Sequence, residues 1–209
     1  MGGLVAMVLQ RLDFTRGIYF ARSKGSLTLI VEEGDRAPGG GNFTSNLSAP
    51  SVNATNNVAF AGDFERGDVS GFGIFVADAG GRITKVVDNL TQVPNHPRVV
   101  FSGFRNIHLA NDGTVIFSGS YNLNGLAFQG LYKTSRAGRI EVIFDQFDGL
   151  VVNGKHVSLV HEAEGRVLEM FVAARFADVV GNISRVAFLQ QLPPEEDVPR
   201  SGLFVAEQR

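Results

Sequence analysis

Apolar and polar positions recur along this chain at a long, regular interval. Gly17-Ile18-Tyr19-Phe20-Ala21 returns as Gly73-Ile74-Phe75-Val76-Ala77, as Gly130-Leu131-Tyr132-Lys133-Thr134 and as Gly202-Leu203-Phe204-Val205-Ala206. The first two intervals are 56 and 57 residues; the last is 72 and carries an insertion. In the first three copies a second glycine follows eight residues on, at Gly25, Gly81 and Gly138. Behind it come the short runs Leu27–Val31, Ile83–Val87 and Ile140–Phe144, each closed by an acid: Glu32, Asp88 and Asp145. Two strand-like runs flanking a glycine turn predict a β-hairpin.

Upstream of each hairpin a run of small and apolar residues predicts another strand, at Leu4–Leu9, Val58–Gly62, Val115–Gly119 and Leu168–Ala174. Three of these follow turn-forming pairs, Asn56-Asn57, Asp112-Gly113 and Glu164-Gly165, because such residues tolerate the backbone of a tight turn. Weaker strand candidates precede those turns at Pro50–Asn53, Asn106–Ala110 and Val157–His161. One repeat is therefore about 57 residues and four short strands. The copies run near residues 4–57, 58–114 and 115–167, with a partial one over 168–209, and the whole of 1–209 reads as a single repeat domain. Such a unit cannot bury its own faces, so stacked neighbours supply the core. No segment keeps a 3.6-residue period with caps, which predicts almost no helix. The run Pro193-Pro194-Glu195-Glu196-Asp197-Val198-Pro199 predicts an exposed loop, since proline has no N–H to give a ladder.

Composition narrows the partners. Apolar residues make up 44% of the chain, enough for a sizeable core, and charged residues only 19%, with a net charge of −2. Nucleic acid needs a basic field, and none is present. No apolar run has the length of a membrane helix. Met1–Arg16 has an apolar patch but neither a basic stretch nor an A-x-A-like cleavage site, and reads as a strand rather than a signal peptide. The absence of cysteine excludes disulfides, thiolate metal sites and cysteine nucleophiles together.

The candidate chemistry is thin. Asp88 and Asp145 recur at one repeat position with Glu32, and Asp35 matches Asp148 at another, where the second copy has Thr91. Carboxylates repeated in this way are the best binding candidates, so Asp35, Asp88 and Asp145 are singled out. Against this stands the ordinary use of Asp to start turns. His156 and His161 are five apart, which puts them on opposite faces of a continuous strand, and His96 lies between two prolines; no metal or other cofactor is expected. No Gly-x-Ser-x-Gly elbow is present, and Gly39-Gly40-Gly41 lacks the Lys-Ser/Thr of a phosphate cradle, so it predicts a flexible loop and no catalytic residue is assigned. The aromatic rings at Tyr19, Phe75, Tyr132 and Phe204 suit the core better than sugar stacking. Five Asn-x-Ser/Thr triplets begin at Asn42, Asn46, Asn53, Asn89 and Asn182 and are read as turn residues.

Gly17-Ile18-Tyr19, Gly25–Val31, Gly34-Asp35-Arg36-Ala37-Pro38-Gly39-Gly40-Gly41-Asn42-Phe43-Thr44, Ala49–Val52 and Asn57–Gly62 follow one another in an order that resembles a bacterial, especially cyanobacterial, tandem repeat without assigned function. The second copy keeps Pro94 and Phe101–Phe104 but loses the glycine-rich turn, and the third has Val151 in place of the proline. The resemblance implies β-propeller blades of four antiparallel strands, often in exported proteins, and no catalytic residues. β-Prism and β-trefoil are alternatives, with shorter repeats than this one. Three blades are few for a closed ring, which predicts a homodimer of about six blades joined by strand exchange. The expected function is a non-enzymatic binding or interaction module for a glycan or a protein; the alternative is a carbohydrate-active enzyme using paired carboxylates.

Overall fold

Short apolar runs bounded by turn residues favour strands, and strands are the regular elements of the described residues. The structure, a computed structural model, describes residues 4–22, 27–134, 138–148, 150–152, 155–157, 160–161, 166–167, 176–180, 183–195 and 198–208, the part from 150 onward as strand backbone. The described residues contain no helix. They fall into two compact units, Met1–Thr91 with Ile107–Val115, and Gln92–Asn106 with Ile116–Arg209.

In the first unit, β1 (Leu4–Gln10), β2 (Arg16–Arg22) and β3 (Leu27–Glu32) form an antiparallel sheet in that order. A four-stranded sheet follows from β4 (Asn42–Val52), β5 (Val58–Arg66), β6 (Val69–Ala77) and β7 (Ile83–Asp88). Its core holds Phe43, Phe60 and Phe75. Phe60 and Phe75 are cross-strand partners stacked at 5.6 Å, and Phe43 meets Phe75 edge-on at 4.9 Å. Such ring pairs add about 0.5–1.5 kcal/mol beyond burial. The turn from Asn53 docks on the segment Ile107–Val115: Asn53 Nδ2 donates to the Ala110 carbonyl at 3.1 Å and Leu109 N–H donates to Ser51 Oγ at 2.9 Å.

A second four-stranded sheet has the order β11 (Ile140–Asp145), β10 (Leu126–Thr134), β9 (Val115–Leu123) and β8 (Phe101–Leu109). It repeats the ring arrangement: Phe117 stacks on Tyr132 at 5.7 Å, and Phe101 meets Tyr132 edge-on at 5.0 Å. The short pairs β12 (Leu150–Val152) with β13 (Lys155–Val157), and β14 (Val160–His161) with β15 (Arg166–Val167), come next. The last sheet is β16 (Phe176–Val180), β17 (Ile183–Glu195) and β18 (Val198–Gln208).

The repeat read from sequence is a repeat of register. Leu9 pairs with Gly17, Gly62 with Gly73, Gly119 with Gly130 and Gln190 with Gly202. The strand paired with the last glycine is thus β17, whose Val186-Ala187-Phe188 repeats Val58-Ala59-Phe60. The first-strand candidate Leu168–Ala174 lies outside the described residues. Each third strand also shifts register at one place, between Ile18 and Tyr19, Ile74 and Phe75, or Leu131 and Tyr132 on its partner. A bulge at the same step in three sheets bends each of them alike.

Three local expectations are corrected. Pro193–Glu195 and Val198–Pro199 lie in β17 and β18 rather than in a loop. The ladder skips from Leu192 to Glu195, so the two prolines occupy the register break, where no N–H is required. Likewise β4 begins at Asn42, well before Pro50, and that proline falls in a break between Ser48 and Ser51. Gly39-Gly40-Gly41 is a defined turn: Gly40 N–H donates to the Ala37 carbonyl at 3.1 Å, Ala37 N–H to the Gly41 carbonyl at 2.9 Å, and all three glycines have φ between 86° and 102°.

Candidate functional site

The three carboxylates singled out from sequence meet different partners. Asp35, exposed, closes the turn after β3: its N–H donates to the Glu32 carbonyl at 3.1 Å, and its Oδ2 accepts the Glu32 N–H at 2.9 Å. Asp88 ends β7 and is buried. Its Oδ1 accepts the Leu90 N–H at 3.1 Å and the Thr91 hydroxyl at 2.8 Å, and its Oδ2 pairs with Lys85 Nζ at 2.5 Å. Burial pushes the Asp88 carboxyl up, but the Lys85 and Thr91 hydrogen bonds, the Lys85 charge and the Leu90 N–H together hold the group below its ordinary value. Both residues act here as turn formers, and Asp35 and Asp88 belong to the first unit while Asp145 belongs to the second.

Asp145 keeps that turn role and adds to it. Its Oδ1 accepts the Phe147 N–H at 2.9 Å, as Asp88 does from Leu90. The same oxygen accepts the Tyr121 hydroxyl at 2.5 Å, and Oδ2 accepts the Tyr132 hydroxyl at 2.9 Å. His96 closes the group, with Nε2 3.1 Å from the Tyr121 oxygen and 3.5 Å from Asp145 Oδ2. Tyr121 has one hydroxyl proton, and it goes to Asp145, so in this arrangement His96 carries its proton on Nε2 and donates it to the phenol oxygen. All four side chains are buried: His96 is 7% exposed, Asp145 2%, and both tyrosines 0%. Burial raises the pKa of both phenols, and the Asp145 charge raises them further, so they stay protonated donors.

His96 is held by the turn between β7 and β8. Its N–H donates to the Val93 carbonyl at 3.2 Å, the Val99 N–H returns to the His96 carbonyl at 3.2 Å, and Gln92 Nε2 donates to that carbonyl at 3.4 Å. Its ring lies 4.9 Å from Tyr121 and stands edge-on to Phe147 at 5.3 Å. At the open side, ligand atoms of His96, Asp145 and the exposed Asp148 all lie within 4.8 Å of one another. This is the one group of three His, Asp or Glu side chains among the described residues with that closeness.

Sequence reasoning found Asp145 and missed His96 and Tyr121. A signal was present: Tyr121 and Tyr132 stand where Phe64 and Phe75 stand one repeat earlier, so two rings gain hydroxyls in the repeat that buries this acid. The aromatic position reads as core where its side chain is described, with Phe75 and Tyr132 fully buried and Tyr19 half-buried. The sequon residue Asn53 is buried as well, its Oδ1 accepting the Thr55 and Asn57 N–H groups at 3.1 and 3.0 Å.

Comparison with curated proteins found no match. The profile of a family of unknown function, DUF7453, matches residues 2–190, and the chain belongs to that family.

Proposed function

We propose that this chain is a non-enzymatic binding or interaction module whose four-stranded sheets are propeller-like blades, and that its partner is a glycan or a protein met by the loops between strands. One observation carries the reading. The three acids singled out from sequence are each held by hydrogen bonds: Asp35 with the Glu32 N–H, Asp88 with Lys85, Thr91 and Leu90, and Asp145 with two tyrosines and the Phe147 N–H. Carboxylates held this way build loops; acid–base work on a glycosidic bond needs a pair facing a substrate. Repeat scaffolds of this sort bind through loops whose strands hold them in place.

Glycan-array and pull-down binding, run beside a broad glycoside-hydrolysis screen, tests the proposal. Saturable binding without turnover is expected. Turnover that disappears in Asp145→Asn or Asp88→Asn would overturn it in favour of a carbohydrate-active enzyme.

Self-association by strand exchange belongs to the same proposal. Among the described strands β1 lies at the edge of its sheet, whereas its counterpart β5 is flanked by β4, so a strand from a second copy covers that edge. Light scattering on the parent and on a chain lacking residues 1–12 tests this: a dimer is expected for the parent and not for the truncation, and a monomeric parent removes the idea.

A further inference from the structure

We infer that His96, Asp145 and Asp148 form a site for one divalent transition-metal cation of the zinc type. Two equivalent turns in one chain, compared charge by charge, lead there. After β7 the buried acid is Asp88, its cation is Lys85, and the residue three places on is the neutral Thr91. After β11 the buried acid is Asp145, the Lys85 position holds Val142, and the Thr91 position holds Asp148. The second turn has therefore lost a positive charge and gained a negative one. Among the described residues no lysine or arginine pairs with either Asp145 or Asp148. Asp145 is hydrogen-bonded by two phenols and a backbone N–H, but a second carboxylate within 4.8 Å adds like charge, and a cation between the two relieves that repulsion.

What faces them is a metal ligand. His96 stands where the first copy has Gly40, and it brings an imidazole nitrogen to 3.5 Å from Asp145 Oδ2. Two donors at about 2.0–2.1 Å from one tetrahedral zinc ion are themselves about 3.3–3.4 Å apart, so this edge already has coordination length. Asp148 completes three donors within 4.8 Å, and its exposure leaves a side open for water or a ligand. One nitrogen with carboxylate oxygens suits zinc or a neighbouring transition metal; calcium takes six to eight oxygens. The Tyr121 and Tyr132 hydroxyls hold the Asp145 carboxylate in orientation, as outer partners of metal ligands do. Loading requires His96 to move its proton from Nε2 to Nδ1, giving up its bond to the Tyr121 oxygen. The inference departs from the expectation of no metal, which weighed the histidines by spacing and had no view of what His96 meets. It is independent of the glycan or protein partner.

The full chain is stripped with a chelator and dialysed against zinc chloride. Bound zinc is counted by mass spectrometry, affinity is measured by calorimetry, and thermal unfolding is recorded with and without zinc. One zinc per chain is expected, together with a zinc-dependent rise in Tm. Asp148→Asn and His96→Gln should each weaken binding at least about tenfold. Asp148 is exposed, so its variant should keep the parent's metal-free Tm, which separates loss of a ligand from loss of fold. His156→Gln should bind as the parent does. The proposal is overturned by absence of zinc uptake, by uptake unchanged in both Asp148→Asn and His96→Gln, or by calcium binding tighter than zinc.

Discussion

Tyr132 donates its hydroxyl to Oδ2 of Asp145 across 2.9 Å, reaching back along the β10–β11 pair over Gly130, the direct partner of Asp145. A Cβ at Gly130 would run into that hydroxyl, so the glycine leaves the path along which the phenol reaches the acid. The sheet thereby joins a core ring to a turn-forming carboxylate.

Tyr132→Phe removes that donor and keeps the ring that stacks on Phe117. A buried carboxylate losing one of its hydrogen bonds costs about 1–3 kcal/mol. Urea unfolding should show a lower midpoint with an unchanged slope. An unchanged midpoint would mean that the hydroxyl contributes nothing net.

Gly73→Ala tests why glycine recurs at one register position, inside β6 in this copy. A Cβ there would sit 2.5 Å from the Val87 carbonyl oxygen, a backbone atom of the paired strand that cannot rotate away. Overpacking of this kind costs about 1–3 kcal/mol. The thermal midpoint should fall, and Gly81→Ala, at a turn glycine with φ +85° and open space around its Cβ position, should act through backbone strain alone.

Asp88 makes stability depend on acid. Burial raises its folded pKa, but the Lys85 and Thr91 hydrogen bonds, the Lys85 charge and the Leu90 N–H together hold it below the ordinary value. The unfolded chain therefore binds the proton more readily, and the contribution is fully present above the ordinary Asp value of about 3.9. It is lost as pH falls through the depressed folded value. Unfolding curves from pH 7 downward should show the parent losing stability in that acid window. Asp88→Asn should be less stable at pH 7 and should lack this part of the slope; identical slopes would show that Asp88 has no share in it.

Asn53 should resist glycosylation despite its sequon. Its side chain is 3% exposed and donates to the Ala110 carbonyl, while its Oδ1 accepts the Thr55 hydroxyl at 2.8 Å. Secretion from a eukaryotic host followed by peptide mapping should find Asn53 unmodified in folded protein. Asn53→Ala should cost about 1–3 kcal/mol, since it removes the acceptor of the Thr55 and Asn57 N–H groups, while the Ala110 carbonyl keeps the Gly113 N–H.

The all-β architecture was legible because side-chain alternation and glycine turns are local signals. Gly17, Gly73, Gly130 and Gly202 mark one register in four strand pairs, and each neighbour of such a glycine is known once its strand is known. The breaks were legible only in part. Pro50, Pro193 and Pro194 argue against a ladder, and what happens instead is that the ladder steps past them, a choice made by the partner strand.

The sequence by itself determined the repeat, the hairpin strands on either side of its glycine turns and the positions of the repeated acids, because these follow from residue spacing along a few tens of residues. Only the tertiary structure decided what those acids do. Asp88 and Asp145 share a repeat position and a turn, yet one closes on Lys85, three residues away, and the other on His96 and Tyr121, which come from a separate turn and a separate strand. Partnership across such distances depends on how the sheet twists and where its turns are carried, and no local pattern encodes that. The physical difference between the two acids is their surroundings, a lysine in one case and an imidazole with a second carboxylate in the other.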